Sequence, residues 1–144
     1  MIKLAIFLIL LTFVIECNPQ KRSVNWDREN VVTVNVNDST YTNAEKLAQK
    51  NMSTFIDMLN NRKKNGYKFN VSARYTEDEK SETMWFTVLS IEGNTFNTKL
   101  NNVPFNLKTI KLGDKIKIPK ESVRDWIVSK NHKVIAGNFA NEDI

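Results

Sequence analysis

Met84-Trp85-Phe86-Thr87-Val88-Leu89-Ser90-Ile91, closed by Glu92-Gly93-Asn94, is the run from which the fold of this 144-residue chain is read. It is rich in β-branched and aromatic residues and apolar on both parities apart from Thr87 and Ser90. That pattern predicts a central strand covered on both faces. Glu92-Gly93-Asn94 reads as a hairpin turn containing Gly. Thr95 to Leu100 then returns antiparallel, with Phe96, Thr98 and Leu100 on one face.

Working towards the N-terminus, Phe69, Val71, Ala73 and Tyr75 alternate with polar residues, so 68–76 is a half-buried strand. The charged run 76–81 reads as a loop. Before it, Ala44, Leu47, Ala48, Met52, Phe55, Ile56 and Leu59 recur at helical spacing. Thr42-Asn43-Ala44-Glu45 fits a capping box, which starts one long helix at Thr42. Arg62, Lys63 and Lys64 suit its negative end near Asn61, and Gly66 suits its stop. Val32, Val34 and Val36 give a further period-2 strand.

Working towards the C-terminus, Pro104 marks a break or an edge, and Phe105 and Leu107 start a short edge strand. Gly113-Asp114 turns the chain into Ile116 and Ile118, and Pro119 ends that strand. Residues 120–124 form one helical turn. Trp126-Ile127-Val128 and Lys133-Val134-Ile135 flank Lys130-Asn131 as a final hairpin, with a helix over 120–129 as the second reading. The sum is an α+β domain: one long amphipathic helix packed on a twisted, mainly antiparallel β-sheet.

The order of these pieces resembles the YegJ-like bacterial domain of unknown function (the domain of unknown function 2314 family). The resemblance covers about residues 31–139. It rests on Ala44, Ala48, Phe55, Met84-Trp85, Gly93, Leu100-Asn101, Pro104, Gly113-Asp114, Asp125-Trp126 and Gly137. Val103 stands where an acidic residue is common, and Ala136 where a second Gly is common. The resemblance implies an α+β fold and no established activity, and supplies no catalytic residue.

The first 17 residues carry Lys3 and then an apolar run from Leu4 to Ile15 broken only by Thr12. A bilayer-spanning helix needs about 20 residues, so 1–17 reads as a signal peptide or lipoprotein signal. Residues 18–30 read as a polar tether holding Trp26, and 31–140 as the single domain. Cys17 is the only cysteine, which excludes an internal disulfide. Its place after the apolar run is that of a lipid-bearing residue, while Glu16 before it departs from the small residue such signals use. Lipid attachment at Cys17 and an inert Cys17 both stand. Export places the protein in the cell envelope, periplasmic or membrane-anchored, or alternatively secretes it.

The net charge of +5 is unchanged when Lys3 and Glu16 leave with residues 1–17. It is mild and dispersed, without the aromatic-basic motifs of nucleic-acid binders. No cofactor is expected, because no Gly-rich phosphate loop is present. No metal is expected either, since His132 is the one histidine and the folded part has no cysteine. A Ser-His triad has only His132 to draw on, and that residue reads as a surface histidine beside the last turn. Glu77, Asp78, Glu79 and Glu82 cluster as paired carboxylates do in glycosidases, but in a charged loop that leaves them untuned. No catalytic residue is assigned. Trp85, Asp125, Trp126 and Phe139 form the candidate binding or structural surface. Asp125 is read as accepting amides of the 119–123 turn, with Trp126 filling the core beneath. The expected function is a non-enzymatic binding or structural module with an envelope protein or polymer as partner. The alternatives are a hydrolase of envelope material and a toxin-neutralising or purely structural module.

Overall fold

A computed structural model describes residues 39–141. The signal read at 1–17 with Cys17, the tether read at 18–30 and the strand read at 32–36 lie outside the described residues.

Two helices replace the single one expected: α1, Ser39–Lys50, and α2, Met52–Arg62. The break falls at Asn51, whose backbone sits at φ −98, ψ 10. Its side-chain Nδ2 donates to the Leu47 carbonyl at 2.9 Å, the same oxygen its own amide uses. An Asn that bonds the carbonyl four residues back competes with the helix ladder and bends it there. The capping-box reading is also corrected. The helix begins at Ser39, so Thr42 lies inside it rather than at its cap. Glu45 instead reaches Arg124, with Oε2 at 3.1 Å from Nη2. Leu47, placed in the apolar stripe by its spacing, is 40% exposed; Ala44, Ala48, Met52, Phe55, Met58 and Leu59 make the buried face.

Six strands form one sheet: β1, Tyr67–Glu77; β2, Lys80–Glu92; β3, Thr95–Leu100; β4, Lys115–Pro119; β5, Val123–Lys130; and β6, Lys133–Gly137. Their order is β4-β3-β2-β1-β5-β6, and every neighbouring pair is antiparallel. The fold is therefore α+β, as expected. The register aligns Leu100, Phe86, Val71 and Trp126 in one transverse row, and all four are buried. Burying each such side chain contributes roughly 1.5–3 kcal/mol. Phe55 drops from α2 into the centre, edge-on to Phe69 and Phe96 at 5.7 Å each and tilted on Trp126 at 5.2 Å.

Three strand expectations change. The β2 strand is buried on one face only: Met84, Phe86 and Val88 face the core, Trp85 and Thr87 are half-buried, and Leu89 is exposed. The expected loop at 76–81 shrinks to the tip Asp78-Glu79, because Glu77 already pairs with Lys80. No edge strand forms at Phe105 and Leu107; residues 101–114 are irregular. The final hairpin is present, turning at Asn131-His132, both at positive φ of 50 and 62. That is the geometry of a two-residue turn matched to strand twist. The second reading, a helix over 120–129, is absent; a 3-10 turn at Lys120–Ser122 leads straight into β5.

Candidate functional site

Three of the four candidate residues meet at one corner. The Trp126 ring is buried between sheet and helix, and its Nε1 donates to the Ala48 carbonyl at 3.0 Å. Small residues at Ala44 and Ala48 let α1 lie close over β5. Gln49 Nε2 donates to the carbonyls of Lys120 and Val123, tying α1 to the start of that strand. Phe139 stands edge-on to Trp126 at 5.2 Å. Asp125 is 4% exposed and is an acceptor, as expected, but of different amides from those read in the sequence. The donors are not in the 119–123 turn. They include Trp126 N at 2.7 Å and, on the 3-10 turn Phe139–Asn141, Phe139 N and Ala140 N at 3.2 Å each. β6 runs back alongside β5, and its continuation brings those two amides to Asp125. The carboxylate caps that last turn as an N-cap acid caps a helix.

Trp85 does not join them. It lies two strands away on β2, half-buried, paired with Ser72 on the opposite parity from Phe86 and Met84. Its backbone amide donates to Asn102 Oδ1 at 2.9 Å. The four residues therefore make a structural corner plus a separate strand position, and no groove lined by all of them.

Of the four carboxylates whose clustering resembles a glycosidase pair, Asp78 and Glu79 are exposed at a hairpin tip, and Glu82 and Glu77 hold backbone. Glu82 accepts from Phe105 N at 3.0 Å, from Asn106 N, and from Leu107 N at 3.2 Å. Glu77 Oε2 accepts from Lys108 N at 2.8 Å and Thr109 N at 3.1 Å. Asp114 Oδ2 does the same for Lys111 N at 2.9 Å. Sequence reasoning misses the Glu77 and Glu82 clamps, because their donors lie 23 to 32 positions further along the chain. His132 is exposed in the last turn. Among the described residues, no group of three or more His, Cys, Asp or Glu side chains gathers to hold a metal. A shallow hollow of about 250 Å³ lies between Leu59, Asn60, Lys63, Ser90 and Ile91, away from all four candidate residues.

The amides of Thr109 and then Lys108 hold the Glu77 carboxyl below the usual carboxylate range. A lowered folded pKa means that the stabilisation is complete above the unfolded glutamate pKa of about 4.3 and is lost as pH falls through the lower folded value. We expect the Lys108 and Thr109 amide resonances to titrate together below about pH 4.3, and this step to vanish in Glu77→Gln. Resonances that move equally in the variant would rule out the clamp as their cause.

The profile of a family described as an uncharacterized protein conserved in bacteria (DUF2314) matches residues 38–141. The chain belongs to that family. The chain is also 28% identical over 109 residues to the uncharacterized protein YegJ of Escherichia coli (strain K12), an alignment that covers 76% of this chain and 70% of that protein. No solved structure matches. The residues that carry the family resemblance have visible work in the DUF2314 domain. Leu100 N donates to the Asp114 carbonyl at 2.8 Å, Gly113 N to the Leu100 carbonyl at 2.9 Å, and Asn101 N to the Trp85 carbonyl at 2.9 Å. Among the described residues, no helix is long and apolar enough to cross a membrane.

Proposed function

We propose that the chain is an exported cell-envelope protein whose DUF2314 domain is a non-enzymatic binding module. One observation supports the binding-module reading above others. Glu77, Glu82, Asp114 and Asp125 each accept hydrogen bonds from backbone amides, so these acids fix loops and turns. A general base needs its oxygen directed at a substrate proton. Export rests on Lys3 and the apolar run Leu4–Ile15, with Cys17 as the proposed lipid attachment point.

The test combines fractionation with two variants. The full chain is expected in the envelope fraction, and a chain lacking residues 2–17 in the cytoplasm. Labelled fatty acid should enter the full chain and not Cys17→Ser; a full chain that takes up none removes the lipid anchor. Asp125→Ala leaves the amides of Phe139 and Ala140 without their acceptor, which should cost about 1–3 kcal/mol. His132→Asn keeps a residue that tolerates left-handed backbone, so it should melt and complement a deletion strain like wild type. A His132→Asn protein of normal stability that fails to complement would put the envelope hydrolase first.

A further inference from the structure

Residues 101–114, between β3 and β4, have irregular backbone bonded along much of its length to side chains of β1 and β2. Five successive amides, from Phe105 to Thr109, are bound by the carboxylates of Glu82 and Glu77. Both ends are tied through Leu100, Asn101, Gly113 and Asp114. Leu107 turns inward and is buried. Phe105, two positions earlier, is 74% exposed, and Val103 and Leu112 are exposed at 44% and 55%. A large aromatic left in water on so fixed a backbone is presented rather than frayed.

Cations frame it. Lys108 and Lys111 lie exposed in the same segment, and Lys99 and Lys115, exposed partners across β3 and β4, stand at its base. The Lys99 stem runs over Gly113, where an added Cβ would lie 3.3 Å from its Cε. Exposed apolar side chains and exposed lysines in one segment match the two attractions of an anionic bilayer surface, apolar burial at the acyl boundary and charge at the headgroups. A protein partner demands a matched surface of about 800 Å² on each side; a bilayer yields to a single protruding side chain.

We propose that residues 103–112 dock the domain on an anionic lipid surface, with Phe105 at the headgroup boundary and Lys99, Lys108, Lys111 and Lys115 towards the lipid phosphates. This deepens the envelope-binding reading and rests on it. The carboxylates of Glu77, Glu82 and Asp114, which bond amides of the segment, and the exposed acids Asp78 and Glu79 on the hairpin tip oppose the contact.

The test uses the full chain with Cys17→Ser and Phe105→Cys, labelled at its single thiol with an environment-sensitive fluorophore. Vesicles of phosphatidylcholine are compared with vesicles of phosphatidylcholine and phosphatidylglycerol. The label is expected to shift to the blue and brighten on the anionic vesicles alone. A label on Glu121→Cys, at the far end of β4 from this segment, should stay in water. Lysines near an anionic surface each raise partitioning about fivefold, so Lys108→Gln with Lys111→Gln should cut the response by roughly 25-fold, and Asp78→Asn with Glu79→Gln should raise it. A label at position 105 that stays in water on anionic vesicles carrying the protein overturns the proposal and leaves the segment to a protein partner. An equal response to neutral vesicles overturns it too. Purified protein and vesicles do not depend on export, so a failed fractionation and a failed vesicle response are separate results.

Discussion

Replacing Phe55 with Ala is expected to remove about 3–5 kcal/mol of stability, a large part of the roughly 5–15 kcal/mol of an ordinary domain. Phe55 is completely buried and, among the described residues, is the ring that touches Phe69, Phe96 and Trp126 together. Truncating it removes three ring contacts, each worth about 0.5–1.5 kcal/mol beyond burial, and opens a void between α2 and the sheet. Asp57, two residues on, is exposed and bonds only its helix neighbour Asn61. Asp57→Ala should change stability by less than about 0.5 kcal/mol. Chemical denaturation of both variants checks the pair, and equal shifts of the midpoint would refute the assignment of faces.

Gly137→Ala should be nearly as damaging, for the opposite reason. A methyl at Gly137 would collide with the Trp126 carbonyl oxygen and with Cε3 of its buried ring, neither of which is the free end of a flexible side chain. Overpacking of this kind costs about 1–3 kcal/mol. The backbone at φ 79 adds roughly 1–2 kcal/mol for any L side chain. Gly66 supplies the control. It has φ 76 and nothing within 4 Å of the added methyl, so Gly66→Ala meets the backbone cost alone. Gly137→Ala should therefore melt well below Gly66→Ala, and the gap between them measures the approach of β6 to Trp126. Matching melting temperatures would mean that the corner is looser than its geometry.

What the sequence discloses follows the range of the forces involved. The alternation at Phe69, Val71 and Ala73 is a local signal, and it places β1 with the correct face inward. The apolar residues on both parities of β2 instead read as two covered faces, although only Met84, Phe86 and Val88 are buried. Gly93 marks its hairpin by a local signal as well, while the final hairpin, read around Lys130-Asn131, turns one residue later at Asn131-His132. The signal for the kink at Asn51 is faint: Asn is a modest helix former, and only the reach of its amide to the Leu47 carbonyl breaks the rod. At the candidate corner, the sequence places Trp126 correctly in the core. It misassigns the amides around Asp125, because the nearest turn along the chain is not the nearest in space. Glu77 and Glu82 read as a free acidic loop because their donors belong to another segment, which no short-range pattern announces.

The strand order β4-β3-β2-β1-β5-β6 also sets an order of events during folding. Strands β1 to β4 form an unbroken meander, in which β1–β2 and β2–β3 close through tight turns and β3–β4 through residues 101–114. β5 must instead travel back past all of them to pair Tyr67 with Lys130 and Val71 with Trp126. Closing that long loop carries an entropic cost before its contacts form. Helix α1, whose main anchors are Trp126, Lys120 and Val123, has little to hold until β5 arrives. The meander is thus expected to form first, with burial of the Trp126 indole reporting the later step that joins the two ends of the domain.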